Sequence, residues 1–180
     1  VVKMSLSPLL QELLLTEMGQ CIGMALGRTV VCQSKLQELR VKIVDTKETR
    51  PNHFIQVKMT GGSVIKNLHI QNWPVHGFSL SSCSDLTIRD IVMDNSAGDA
   101  PNNRSGTKAA AHNSDGLGVG TQSKNILITN ITVHNQDDCV AVTSANNVTV
   151  SNMYCYGSHG LSIGSIGGKT YNNVTNILVS

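Results

Sequence analysis

Leu127-Ile128-Thr129-Asn130-Ile131-Thr132-Val133 alternates apolar and polar side chains about a central asparagine. The same pattern returns in Val64-Ile65-Lys66-Asn67-Leu68-His69-Ile70, in Leu86-Thr87-Ile88-Arg89-Asp90-Ile91-Val92 and in Thr149-Val150-Ser151-Asn152-Met153-Tyr154. Val174-Thr175-Asn176-Ile177-Leu178-Val179 adds a fifth copy. Period-2 alternation over so few residues predicts short strands. With Asn67, Asp90, Asn130, Asn152 and Asn176 in register, the steps are 23, 40, 22 and 24 residues by subtraction. Repeats of 20–50 residues signal stacked units. The step of 40 predicts one unit carrying an inserted loop, Ser96 to Ala111, rich in Gly, Asn, Ala and Pro.

A second strand follows each of the first kind. His76-Gly77-Phe78-Ser79-Leu80, Asp115-Gly116-Leu117-Gly118-Val119, Asp138-Cys139-Val140-Ala141-Val142 and His159-Gly160-Leu161-Ser162-Ile163 align with steps of 39, 23 and 21. Two strand series in nearly one phase predict an all-β fold, a right-handed parallel β-helix in which each coil buries its neighbour's apolar face. A sandwich would not require that constant phase. Aromatics are only 3% of the chain, so the core must come from Val, Ile, Leu and small residues.

The register stacks particular side chains. Ahead of the aligned positions stand His76, Asp115, Asp138 and His159, with Asp137 one place before Asp138. Parallel strands lie ~4.8 Å apart, so Asp115 falls about one coil below the Asp137–Asp138 pair and His159 about one coil above it. Asp-Asp alone reads as a solvated turn. Three carboxylates and an imidazole stacked on one face, however, are costly for stability, because like charges raise each other's pKa. Neighbouring acids of that kind supply a general acid beside a base, and glycoside hydrolysis is the chemistry that uses such a pair.

Residues 1–50 have a different texture and form an atypical N-terminal segment, whereas residues 51–180 carry the repeat. Ser7 to Met18 has helical apolar spacing, and Leu36 to Lys47 suits strand or helix. Gln11 and Glu12 interrupt the apolar start, which does not read as a clear signal peptide. A net charge of +2 without basic runs argues against nucleic acid as a partner, and no apolar run approaches a membrane span. The five cysteines are an odd number, leaving at least one unpaired within the chain.

Asn113-Ser114-Asp115, Gln136-Asp137-Asp138-Cys139 and Ser158-His159-Gly160 resemble the Asn-Thr-Asp, Asp-Asp and Gly-His-Gly motifs of fungal-type endopolygalacturonases, the pectin-hydrolysing β-helix glycosidases. Asn67 to His76 adds to the likeness. The resemblance implies Asp137 as the general acid, Asp115 and Asp138 as activators of water with inversion, and His159 as a tuning and substrate-contacting residue. It implies that Asn113 and Gln136 shape the substrate site, and His112 beside them is a candidate cleft residue. The coil spacing runs against the inversion, since inverting enzymes usually hold their carboxylates ~6.5–9.5 Å apart. Polygalacturonate as substrate, plant inhibitor proteins as partners, a monomer and an extracellular location are further implications. So is a Cys139–Cys155 disulfide, with free buried cysteines as its alternative.

No cofactor and no metal are expected. Calcium prefers oxygen cages without histidine, and the aligned column lacks the arginine that related calcium-dependent lyases use as a base. A non-catalytic pectin-binding homologue or an inactive fragment is the alternative, ahead of a pectate-lyase-like enzyme. Ser114, Gly118 and Ser158 depart from the family's usual Thr, acidic residue and Gly. Its Arg-Ile-Lys motif would fall just past Ser180, so the resemblance implies a fragment. After Gly19-Gln20 the family reads Tyr-Trp-Asp-Gly; codons for Cys21-Ile22-Gly23-Met24-Ala25, read two bases later, encode those residues. A frameshift across roughly residues 21–47 is therefore expected. Sequons occur at Asn103, Asn130, Asn147 and Asn173, and Asn130 reads as an inward ladder residue. Cys83 has no evident partner, and Trp73-Pro74 reads as a coil corner.

Overall fold

The computed structural model describes residues 30–33, 38–41 and 53–180. The helix expected over Ser7 to Met18 and most of the segment expected to be frameshifted lie outside the described residues. Strands β1 (Val30–Gln33) and β2 (Glu38–Val41) pair antiparallel, so part of Leu36 to Lys47 is strand. From β3 (His53–Val57) onward every pairing is parallel.

One five-stranded sheet contains β4 (Ser63–Gln71), β6 (Ser84–Asp94), β8 (Ser123–His134), β10 (Ala145–Tyr156) and β12 (Val174–Val179), adjacent in that order. The other contains β3, β5 (His76–Ser81), β7 (Leu117–Gly120), β9 (Asp138–Val142) and β11 (Gly160–Ile163). Successive strands of one sheet are separated in the chain by a strand of the other. This is the parallel β-helix that the two phased series predict.

The core is built in stacks. Leu86, Ile126 and Val148 are register partners on successive coils, as are Ile88, Ile128 and Val150. In the facing sheet Phe78, Leu117 and Val140 form one stack, and Leu80, Val119 and Val142 another. All twelve side chains are buried. Each coil therefore covers the apolar face of the last, at about 1.5–3 kcal/mol for a fully buried aliphatic side chain. Cys139 and Cys155 form a disulfide across a separation of 16 residues. In the chain-entropy view, closing a loop of that size contributes about 3 kcal/mol.

The asparagines have a purpose that their position in the repeat only hinted at. Asn67, Asp90, Asn130 and Asn152 have φ between 50° and 58°, and so do Asp85, Asn125, Asn147 and Asn176. This left-handed conformation is one that Asn and Asp tolerate better than other L-residues. Each long strand bends there, so the coil has more sides than the two legible from the alternation. The bend residues stack outside: Asn130 Nδ2 donates to Asp90 Oδ1 (2.6 Å), Asn125 Nδ2 to Asp85 Oδ1 (2.7 Å) and Asn147 Nδ2 to Asn125 Oδ1 (3.0 Å). Asn130 is exposed, not inward. In the left-handed bend its side chain leaves the pleat that would have aimed it at the core.

Two register details also differ. Asn176 was expected over Asn152, yet β12 pairs Thr175 with Asn146 and Ile177 with Val148, setting Asn176 opposite Asn147. Strand β10 carries two asparagine bends with similar flanks, and the pattern alone does not distinguish them. Gly160 pairs with Asp138 before the register slips to Leu161 with Val140, a local bulge at a glycine with φ 85°. Among the described residues, no helix is long and apolar enough to cross a membrane.

Candidate active site

The site lies at the N-terminal ends of β7, β9 and β11. Backbone pairing continues past the strand ends: Gly77 N donates to Asp115 O (2.8 Å), Gly116 N to Asp138 O (2.8 Å) and His159 N to Asp137 O (2.9 Å). These bonds hold the coils bearing His76, Asp115, the Asp137–Asp138 pair and His159 in sequence. Two glycines permit the approach. A Cβ on Gly116 would lie 2.5 Å from Cys139 O, and one on Gly77 would lie 2.6 Å from Gly116 O. Neither position can carry a side chain while the coils keep this spacing.

Asp137 Oδ1 accepts from the Asp138 backbone N–H (2.8 Å) and lies 3.3 Å from His159 Nδ1; its Oδ2 accepts from Asn113 Nδ2 (3.2 Å). Asp138 Oδ1 accepts from Ser162 Oγ at 2.5 Å, a length typical of a hydroxyl donating to a carboxylate, and lies 3.9 Å from His159 Nδ1. Asp115 Oδ2 is 3.8 Å from His76 Nδ1. Burial pushes the Asp115 carboxyl above the usual carboxylate range, Asp137 and Asp138 add to that, and His76 opposes it. The structure thus gathers Asn113, Asp137, Asp138 and His159 into one contact network, with Asp115 one coil below. Asp137, Asp138 and His159 each bring one potential ligand atom within 4.8 Å of the others. Exposed acidic groups commonly meet this way without an ion, and we assign no metal role.

Gln136 and His112 make other contacts. Gln136 Nε2 donates to Asn95 O (2.9 Å) and Asp99 Oδ1 (2.6 Å), while its Oε1 accepts from Asn95 Nδ2 (3.2 Å) and Ser114 Oγ (3.0 Å). It fastens the inserted loop to the coil. His134 closes the same loop, its Nε2 lying 3.1 and 3.0 Å from the Asp99 carboxylate oxygens. His112 Nδ1 lies 3.0 Å from Ala109 O within the loop. The departing residue Ser158 donates to Asp137 O (2.9 Å) and accepts from Gly160 N (2.9 Å), bracing the backbone of the acid.

Two further residues support the site, and neither is legible in the sequence as part of it. Asn135 is 0% exposed, and its Nδ2 donates to the carbonyls of Ser114 (2.8 Å), Asp137 (3.1 Å) and Asp138 (2.9 Å). One amide thereby ties together the backbones that carry all three acids. Trp73, buried and not merely a corner, donates Nε1 to the carbonyls of Ser114 and Asp115, both at 3.2 Å. A signal for Asn135 did exist. Asn72, Asn95 and Asn135 recur at 23 and 40 residues by subtraction, the steps of the first register. Their backbone N–H groups bond the coil above in turn.

Comparison with known proteins identifies the family. The sequence model of glycosyl hydrolases family 28 matches residues 24–180. A probable endopolygalacturonase D of Neosartorya fischeri is 56% identical over 132 residues, 73% of this chain and 28% of its own length. A polygalacturonase of Fusarium fujikuroi is 56% identical over 129 residues, 71% of this chain and 34% of its own. A polygalacturonase of Saccharomyces cerevisiae is 44% identical over 130 residues, 72% of this chain and 33% of its own. The solved structure of endopolygalacturonase I from Stereum purpureum, complexed with two galacturonates, superposes with a TM-score of 0.59 at 32% identity. It covers 72% of this chain, which spans 35% of that structure. The chain thus spans 28–35% of the length of these relatives, and over that span its repeat, its parallel coils and its sequence agree: it belongs to glycosyl hydrolases family 28.

Proposed function

We propose that this chain carries the acid–base centre of an extracellular polygalacturonase, which hydrolyses α-1,4 links between galacturonates in pectin. The observation that carries the reading is the convergence of Asp137, Asp138, Asn113 and His159 one coil from the half-buried Asp115. In this reading Asp137 gives its proton to the glycosidic oxygen as the bond to the anomeric carbon breaks. Asp115 and Asp138 take the proton of the attacking water. His159 sits against both members of the pair, where it steadies the charge left on Asp137 after proton transfer. Asn113 orients the Asp137 carboxyl through its second oxygen. Family membership and relatives whose names state polygalacturonase activity support the substrate class.

The test is reducing-end release from polygalacturonate by the 180-residue chain, with a calcium chelator present and Asp137→Asn as control. Release that the substitution abolishes is the expected result. A folded chain that binds oligogalacturonides through the aspartates without cleaving them would replace hydrolysis with binding. NMR of the fresh product decides the stereochemistry: β-anomeric ends mean inversion, and α-anomeric ends mean retention.

A further inference from the structure

We propose that His76, with His53 stacked behind it, is a positioning residue that keeps Asp115 in the carboxylate form needed to accept a proton from water. The inference rests on the role given to Asp115 above and extends the site two coils below the three acids. Strand β3 pairs His53 with His76. The Gly77 and Gly116 backbone bonds continue that column through Asp115 to Asp138. His53, His76, Asp115 and Asp138 therefore occupy successive rungs at about the 4.8 Å strand spacing.

The chemistry of the column is ordered. Asp115 has a side chain only 14% exposed, and the charged groups acting on it are His76 from β5, Asp138 from β9 and Asp137 just before β9. Burial and the two acids favour its neutral form; His76 alone among them favours the anion. At 3.8 Å, His76 Nδ1 is within ion-pair range of Asp115 Oδ2 but beyond a good direct hydrogen bond. Its effect is therefore chiefly that of a charge. The other group facing His76 is His53, whose ring meets it edge-on at a centroid distance of 5.2 Å and 86°. His53 Nδ1 is buried without a hydrogen-bond partner. Burial, and then the His76 charge, lower the pKa of His53. His53 therefore favours its neutral form, and His76 is the imidazole that faces the carboxylate. The neutral ring packs behind His76 without competing for Asp115. A merely structural histidine would act through shape and would be replaceable by a neutral side chain of similar size.

The experiment uses His76→Gln and His76→Lys in the 180-residue chain, with two readouts. The first is a ¹³C NMR titration of the Asp115 carboxyl; the second is kcat/KM on polygalacturonate against pH. For His76→Gln the Asp115 titration should move to higher pH. Turnover on the acid side should fall about tenfold relative to any loss at neutral pH, the low end of what a charge within 4–6 Å produces. His76→Lys should restore both towards the parent. An Asp115 titration unchanged by His76→Gln overturns the proposal whatever the activity. A titration that moves in a chain lacking turnover supports it and instead removes the hydrolytic role of Asp115.

Discussion

Replacing Asn135 tests whether one buried amide organises the backbone of the site. Its Nδ2 reaches three carbonyls, while its Oδ1 is buried without a partner. Each carbonyl keeps another donor in Asn135→Ala: Trp73 Nε1 for Ser114, His159 N for Asp137 and Gly116 N for Asp138. The two N–H groups of Nδ2 are shared among the three carbonyls, so the loss is the net value of two hydrogen bonds, about 2 kcal/mol, less about 1–2 kcal/mol recovered by removing the orphaned oxygen. Asn135→Ala should therefore cost only about 0–1 kcal/mol. Asn135→Asp is nearly isosteric but turns an acceptor towards three acceptors. Its carboxyl must stay protonated in the folded state, and a rise of three pKa units would cost about 4 kcal/mol at neutral pH.

The pH dependence has a definite sign. An acid whose pKa is raised by folding binds more protons when native, so stability falls as pH rises above the unfolded value of ~3.9. The fall continues until the folded carboxyl ionises. Urea unfolding at pH 4 and pH 7, followed by circular dichroism, measures both effects. Asn135→Asp should approach the stability of Asn135→Ala at pH 4 and fall well below it at pH 7. Equal midpoints for the two variants at both pH values would refute the account of Asn135 as the donor shared by the three carbonyls.

Two further predictions follow from the same geometry. Burial raises the Asp115 pKa, so the native protein loses stability as pH climbs from ~3.9 towards the raised value. Asp115→Asn should have a higher unfolding midpoint than the parent at pH 7, and the difference should close as pH drops below that window. Gly116→Ala places a methyl 2.5 Å from Cys139 O and 3.1 Å from Val133 Cγ1. It should destabilise by about 1–3 kcal/mol or more, the range for overpacked sites. Turnover should fall as well, because separating these coils displaces Asp115 from Asp138; wild-type stability and turnover would rule out the close-approach argument.

The alternation about asparagine, repeated at nearly constant phase, was sufficient to determine parallel stacked coils. Side-chain direction in a strand has period 2, and only stacking buries so many short apolar faces. The same phase placed Asp115, Asp138 and His159 on one face, because residues in register across parallel strands are neighbours in space. Resemblance of the flanking motifs added the Cys139–Cys155 disulfide and the family. Other features were decided by tertiary structure. Gln136 and His134 are committed to the inserted loop through Asp99, a contact spanning more than 30 residues that no local pattern encodes. Whether Asn176 stacks on Asn147 or Asn152 depended on how the chain between β11 and β12 closes, since both bends offer the same local conformation. Asn130 faces outward because a left-handed residue leaves the strand's alternation. Asn135 faces inward because three carbonyls converge there, and such convergence exists only once the coils are stacked.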